Sequence, residues 1–335
     1  MFWLRQRNLY RVSQRWAFWV SLLSFIGAAV SASPWVTAEH ILIGEAGFQR
    51  ACQSFHTADT VYTPAQQVRL DRVCPEHELQ ARYYGELSAY GGDYAAEPED
   101  IPTDFEQMSA RLADLSNWAR VKNLLHRALL ALKDHEHFQP HAQGKWLTYH
   151  NRSRRLADEA RLSGDDDEAL RVALIVNGFG DHFLQDAFSA GHIGTDREST
   201  IPSLQKVYHD HFCCWGRFLG DGLGHTWFAL GDGGLDKACN AQGKERVIAA
   251  TAESVRDLLW HFVIGEGQPL YAKADELMAL FPAQYANQAY KVIPAEFDPV
   301  LCASPDMPVI RLPQRYLKCS DPDFFDVYVR PQLGG

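Results

Sequence analysis

The chain has 335 residues, of which 46% are hydrophobic and 22% are charged, with 32 basic and 42 acidic side chains. This length and apolar fraction are ordinary for a globular protein, and they exclude disordered and collagen-like chains. The net charge of -10 also disfavours proteins that recruit nucleic acid by their own charge, because the phosphate backbone would be repelled.

The first 32 residues predict a signal peptide. Four arginines and no acidic residue occur in this segment, whose apolar run of 15 residues, 16–30, ends in small residues. That run is shorter than the roughly 20 residues that span a bilayer. We therefore expect a secreted or periplasmic monomer without a transmembrane segment, whose 28 basic and 42 acidic side chains give a net charge of -14.

Apolar residues at three- and four-residue spacings predict a mostly helical chain. The predicted helices cover 38–55, 64–90, 103–135, 141–161, 200–212, 244–264 and 268–290. A further helix is predicted to start at the acidic run 163–168, because acids favour the first turn of a helix. The segments 213–240 and 291–335 are rich in Gly, Pro and Asp and are predicted to be irregular.

No repeat or linker divides residues 36–290. The sequence therefore predicts a single all-α, multi-helix domain over 33–290, followed by a loop-rich C-terminal tail at 291–335. The seven cysteines contain no CxxC pair and suit an oxidising compartment better than a zinc-thiolate site. Their connectivity stays open, and the nearest separated pairs are Cys52 with Cys74 and Cys302 with Cys319.

Nine of the fourteen histidines lie between 135 and 225. Within GDHFLQDAFSAGH, His182 and Asp186 are four residues apart, so a helix places them about 6 Å apart on one face, where they can bind one ion. A surface ion pair is the alternative. His192 lies about 15 Å further along a straight helix, so it needs either a break, which Gly191 permits, or a neighbouring ion.

Other positions add ligand candidates. Glu136 and His150 each lie beside a predicted helix boundary, and His40 follows Trp35 by five residues. The stretch YHDHF contains His209, Asp210 and His211. Imidazole and carboxylate without thiolate form the ligand set that is typical of hydrolytic zinc.

The spacing H-x3-D-x5-H, formed by His182, Asp186 and His192, resembles the superfamily of zinc-dependent phospholipases C and fungal single-strand nucleases. The resemblance covers most of residues 35–232. Its motifs GDHFLQDAFSAGH and WFALGDGGL are most similar to the bacterial phospholipase C branch. It implies an all-α fold and a cluster of zinc ions.

The resemblance also implies which residues bind the first zinc. His182 and Asp186 would share it with Glu136 and His150, although the family usually has Asp where this chain has Glu136. Glu136 and Asp186 are the predicted catalytic residues; the hypothesis that Glu136 also orients the attacking water rests on its placement in the sequence. His135, His137 and His141 flank Glu136 and are interpreted as supporting or spare residues.

Two further zinc ions are implied. Asp186 would bridge to an ion that Trp35, through its free amine and carbonyl, and His40 hold. His192 and His209 would bind the other, with Asp210, His211 and His225 as open candidates for its missing ligand. Trp35 offers its free amine only if it is the first residue of the mature chain, whereas cleavage after Ala32 would leave two residues before it. We therefore expect three ions if those two residues are removed by further trimming, and two ions if they remain.

The implied activity is phosphodiester hydrolysis by a zinc-bound hydroxide. A phospholipase C that releases diacylglycerol and a phosphorylated headgroup at a membrane surface is favoured over a single-strand nuclease, mainly because the motifs are most similar to that branch and also because no basic stripe suits a nucleic-acid backbone. Two other readings are open. Ser189 in AFSAG resembles a nucleophile elbow, but the sheet that a serine esterase needs is not predicted. An exported zinc-binding protein without turnover is the third reading.

Overall fold

A computed structural model describes most of the predicted domain. The described residues are 37–74, 79–91, 94–103, 105–113, 135–164, 166–193, 209, 212–213, 216–221 and 223–265, together with the backbone of three later strands, 282–285, 308–311 and 315–318. The predicted signal peptide, Trp35 and most of the predicted tail lie outside them.

Seven α-helices form the described part of the domain, which is all-α as the sequence predicts. They are α1 (Thr37–Thr57), α2 (Pro64–Val73), α3 (Leu79–Tyr90), α4 (Phe105–Ala113), α5 (His141–Leu162), α6 (Asp167–Asp186) and α7 (Ala241–Val263). Single turns of 3-10 helix occur at Pro98–Asp100, His135–His137, Ala190–His192 and Ala238–Asn240. The segment 64–90 is therefore two helices, because the chain leaves α2 at Cys74.

The helix starts follow local chemistry. Asp166 caps α6, since its Oδ1 accepts hydrogen bonds from the backbone N–H groups of Glu168 and Ala169. The acidic run is thus a helix start. Thr63 and Gln66 form a reciprocal capping box at α2, where Pro64 occupies the first turn.

Helix α6 is the centre of the bundle. It packs against α5, α3 and α7, and nearly every side chain from Ala173 to Asp186 is buried. The same helix therefore carries apolar core residues and a series of buried polar ones. Helix α1 packs against α3 and α7 and contacts α6, which brings the start of the domain to the centre of the bundle.

The chain after α6 departs from the predicted irregular structure. β1 (Arg217–Asp221) and β2 (Thr226–Ala229) pair in antiparallel fashion, with Leu219 opposite Trp227. β3 (Pro282–Tyr285) pairs with β1, so the predicted helix at 268–290 is wrong at these four residues. In the tail, β4 (Pro308–Arg311) pairs with β5 (Arg315–Lys318).

A disulfide between Cys52 and Cys74 joins α1 to the end of α2. Cys302 and Cys319 lie outside the described residues. None of the helices in the described ranges is long and apolar enough to cross a membrane.

Candidate metal centre

The end of α6 reverses the chain. Phe188 and Ser189 donate their backbone N–H groups to the carbonyls of Gln185 and Asp186, and a 3-10 turn follows. A side chain at Gly191 would meet the backbone carbonyl of His209 at 2.9 Å, so only glycine permits this close approach. The break after α6 therefore brings His192 back toward Asp186.

The first group of potential ligands comprises His40 of α1 with His182 and Asp186 of α6, all buried. His40 Nε2 lies 3.5 Å from Asp186 Oδ1, and His182 Nε2 lies 3.4 Å from Asp186 Oδ2. The i, i+4 spacing on α6 thus places an imidazole and a carboxylate on one face, as the sequence predicts.

The second group comprises His192, His209 and Asp232, which are also buried. His209 Nε2 lies 3.3 Å from Asp232 Oδ2. Sequence reasoning did not select Asp232, which lies in the turn after β2. Its only sequence signal is its position in WFALGDGGL, a segment that the resemblance covers.

Asp186 and His192 connect the two groups. Asp186 Oδ1 lies 3.5 Å from His192 Nδ1, while His192 Nε2 lies 4.0 Å from Asp232 Oδ1. Within the described residues, Asp186 Oδ1 and His192 Nδ1 are buried and have no hydrogen-bond partner. A buried carboxylate oxygen without a donor is costly, and a divalent cation between these atoms would remove that cost.

The spacings fit metal ligation better than direct hydrogen bonding. Zinc–nitrogen and zinc–oxygen bonds of about 2.1 Å place two ligands of a tetrahedral ion about 3.4 Å apart. Within the groups, three of the paired His and Asp atoms lie 3.3 to 3.5 Å apart, close to that edge, while His192 Nε2 and Asp232 Oδ1 lie 4.0 Å apart. Two buried His/His/Asp groups can therefore hold metal ions.

Hydrogen bonds from outside the groups orient the ligands. His40 Nδ1 lies 2.7 Å from Gln185 Oε1, and His182 Nδ1 lies 2.9 Å from the carbonyl of Ser88. Because these oxygens accept, each Nδ1 donates and each Nε2 is directed to Asp186. Ser189 Oγ donates to Asp232 Oδ1 at 3.1 Å. Such partners fix the tautomer and orientation of metal ligands.

The charge states also suit a cation. Burial lowers the pKa of His192 to about 4, and it holds the pKa of His182 well below its ordinary value. Burial alone would raise the pKa of Asp186, but the neighbouring His192, His182 and His137 hold it well below the usual range. Likewise, His209 and His192 outweigh burial and lower the pKa of Asp232. His182 and His192 are thus neutral imidazoles and Asp186 and Asp232 ionised carboxylates, which are the forms that bind metal.

Glu136 occupies a different place from the predicted one. Its carboxylate pairs with Lys145 Nζ at 2.6 Å, its side chain is 39% exposed, and neither of the two groups found among the described residues includes it. The next residue, His137, faces inward instead: its Nδ1 donates to Asp186 Oδ2 and lies 3.2 Å from His182 Nε2. The 3-10 turn at His135–His137 explains the exchange, because adjacent side chains point in different directions.

His150, which the sequence predicts as a ligand, is also outside both groups. Its Nδ1 lies 2.9 Å from Asn177 Oδ1, and its Nε2 lies 3.0 Å from Asp257 Oδ2 of α7. Asn177 precedes Asp186 by nine residues on α6, about 13 Å along the helix. His150 belongs to a set of buried polar residues that we call the inner polar cluster: His150, Asn177, Asp181, Ser254 and Asp257.

Of the remaining candidate ligands, one lies among the described residues and three do not. His225 is exposed on the β1–β2 hairpin, where its Nδ1 lies 2.7 Å from Asp221 Oδ2, so it does not complete the second group. Trp35, Asp210 and His211 lie outside the described residues.

Comparisons with known proteins give no match: no protein-family description, no curated protein and no solved structure matches the chain.

Proposed function

We propose that the chain is an exported zinc-dependent phosphodiester hydrolase, and more narrowly a phospholipase C that releases diacylglycerol and a phosphorylated headgroup. The observation that carries this proposal is the connection of two buried His/His/Asp groups through Asp186 and His192. Neighbouring metal sites suit in-line displacement at phosphorus, in which both the attacking and the leaving oxygen need stabilisation.

Zinc, when bound, would supply Lewis-acid activation of water and of phosphate oxygens near neutral pH. The residues of the chain hold and shield that chemistry. Asp186 Oδ1 faces His40 of the first group and His192 of the second, while its Oδ2 faces His182. His137 Nδ1 donates to Asp186 Oδ2 and fixes the carboxylate. Phe138 packs on the rings of His192 and His209, at centroid distances of 4.7 and 5.9 Å, and thereby covers one side of these two ligands.

The number of ions depends on Trp35. The described residues provide two groups, and a free amine at Trp35 would add ligands for a third ion. Two ions remain if an extension precedes Trp35. Mass spectrometry of the mature protein distinguishes the two cases, because it reports both the first residue and the zinc content.

A phospholipid is the proposed substrate. The predicted mature chain is strongly acidic, and this repels nucleic acid more than it repels a zwitterionic lipid surface. The serine esterase is not favoured by the position of Ser189, whose fully buried Oγ donates to Asp232 Oδ1. A nucleophilic serine instead donates to a neighbouring base and is reached by substrate.

Hydrolysis assays with the zinc-loaded protein test this proposal. The protein is incubated with phosphatidylcholine vesicles or with single-stranded DNA, and products are identified by mass spectrometry. We expect diacylglycerol and phosphorylcholine, with activity lost on chelation and restored by zinc. Nucleotide products would favour the nuclease, and sensitivity to a serine reagent the esterase. Bound zinc without phosphodiester turnover would contradict the proposal and favour a non-catalytic zinc protein.

A further inference from the structure

Glu39, the residue before His40, connects the two His/His/Asp groups by accepting hydrogen bonds from the backbone of the turn that carries Asp232. Glu39 lies in the first turn of α1 and is directed across to the turn after β2. Its Oε2 accepts from the N–H of Gly233 and its Oε1 accepts from the N–H of Leu235, both at 2.9 Å. Both oxygens of one carboxylate therefore hold the turn that carries Asp232.

This turn needs such an anchor because it is rich in glycine. Gly231, Gly233 and Gly234 surround Asp232, and glycine has the largest backbone freedom to lose on folding. Gly233 adopts a φ of +77°, in the left-handed region. Apart from hydrogen bonds within the turn, such as the one from Gly234 to the Gly231 carbonyl at 2.9 Å, its backbone is held by neighbouring segments, to which Glu39 contributes two hydrogen bonds.

We propose that Glu39 is a positioning residue that fixes Asp232 and joins the two His/His/Asp groups into one centre. Glu39 is adjacent to His40 on α1, so the helix that carries a ligand of the first group also carries the residue that holds the turn of the second group. The contact from α1 therefore adds to the hydrogen bond from Ser189 in holding the acid of the second group in place. This inference rests on the groups being metal sites, and it does not require phosphodiester hydrolysis.

Glu39 acts through Asp232 rather than on the metal. Its two oxygens are both engaged by backbone N–H groups, and it belongs to neither of the groups formed by the described residues. Groups that orient metal ligands in this way are worth about 10- to 100-fold in metal affinity.

Zinc titration of the full mature chain tests the role of Glu39. Glutamine offers one acceptor oxygen and an amide donor, so Glu39→Gln keeps at most one of the two hydrogen bonds. We expect Glu39→Gln to lower the zinc affinity of the second group by about 10- to 100-fold and to leave the zinc affinity of the first group unchanged. Asp232→Asn supplies the reference for loss at the second group. Glu45→Gln is the matched control, since it removes the same charge from α1 and should retain both ions.

A second variant approaches the turn from the opposite side. Alanine at the left-handed position of Gly233 strains the turn without filling occupied space, so Gly233→Ala should reproduce the selective loss even if Glu39→Gln folds poorly. Unchanged zinc affinity in either folded variant, or equal weakening at both groups, would overturn the inference. Two zinc ions in a protein without phosphodiesterase activity would contradict only the proposed function.

Discussion

Two buried clusters of histidine and acidic residues share helix α6, and they differ in what satisfies them. In the inner polar cluster, Asp181 accepts hydrogen bonds from Tyr84 Oη and Ser254 Oγ, both at 2.6 Å, and from Trp146 Nε1 at 3.1 Å. At the end of the same helix, Asp186 Oδ1 is flanked by imidazole nitrogens at 3.5 Å and accepts no hydrogen bond from the described residues.

The difference shows that the residue types alone do not identify a metal centre. Hydroxyl and indole groups donate the hydrogen bonds that a buried carboxylate requires, and such a cluster then stabilises the fold. Imidazoles whose other nitrogen already donates elsewhere bring lone pairs to the carboxylate, and such a cluster favours a cation. We therefore expect the inner polar cluster to control stability and the metal centre to control zinc binding.

The largest effect is expected for Asp186→Asn. Asp186 contributes to the first group and faces His192 of the second, so its loss should reduce zinc affinity by more than about 100-fold, beyond what an orienting residue contributes. Phosphodiesterase activity should be lost with it. Bound zinc is measured by elemental mass spectrometry, and circular dichroism checks that the helices remain. Full zinc content in the folded variant would contradict the comparison.

The second-largest effect is expected for His150→Ala, which should lower stability without changing zinc binding. His150→Ala removes a partner from Asp257 and Asn177 and leaves a cavity, so we expect the free energy of unfolding to fall by about 2–4 kcal/mol. Zinc content should not change. Urea denaturation of the metal-free protein measures the first quantity and elemental analysis the second. If the variant lost zinc and kept the stability of the metal-free protein, the sequence-based assignment of His150 as a ligand would be right.

Asp186 and His150 illustrate what the sequence could and could not predict. The four-residue spacing of His182 and Asp186 fixes their common face once α6 is recognised, and Gly191 indicates the break that brings His192 back. The contacts of His150 were beyond the sequence because α5 packs against both α6 and α7, and spacing along one helix does not say which neighbour a buried side chain meets.

Other parts of the fold and site were beyond the sequence for different reasons. Asp232 follows His209 by 23 residues across a hairpin, and no periodicity relates them. The hairpin itself was missed because β1 and its connection to β2 are rich in Gly and Asp, which hides the short strands. Glu136 and His137 are neighbours in a single 3-10 turn, where one residue of shift decides which side chain is buried.

A smaller effect concerns pH. Burial alone would raise the pKa of Asp257, but the hydrogen bond to His150 and the charge of Arg154 lower it. Ionised Asp257 thus stabilises the fold above the unfolded-state pKa of about 4, and this contribution is lost as pH falls through the lower folded-state value. We expect Asp257→Asn to cost about 1–3 kcal/mol at pH 5 and progressively less below pH 4. A cost that grows on acidification would contradict the lowered pKa.

The smallest effect is expected for Glu136→Gln. The pair with Lys145 is partly exposed, so the free energy of unfolding should change by less than about 1 kcal/mol. Zinc content should be retained, and hydrolysis should fall by less than about 100-fold, the lower range of what a general base contributes. A larger fall with zinc retained would support the sequence-based prediction that Glu136 takes part in catalysis.

Anomalous scattering at the zinc absorption edge, from crystals of the mature protein, tests the metal centre most directly. We expect one zinc peak among His40, His182 and Asp186 and a second among His192, His209 and Asp232, with none in the inner polar cluster. Absence of zinc from both groups, or a zinc ion bound by His150, would contradict it.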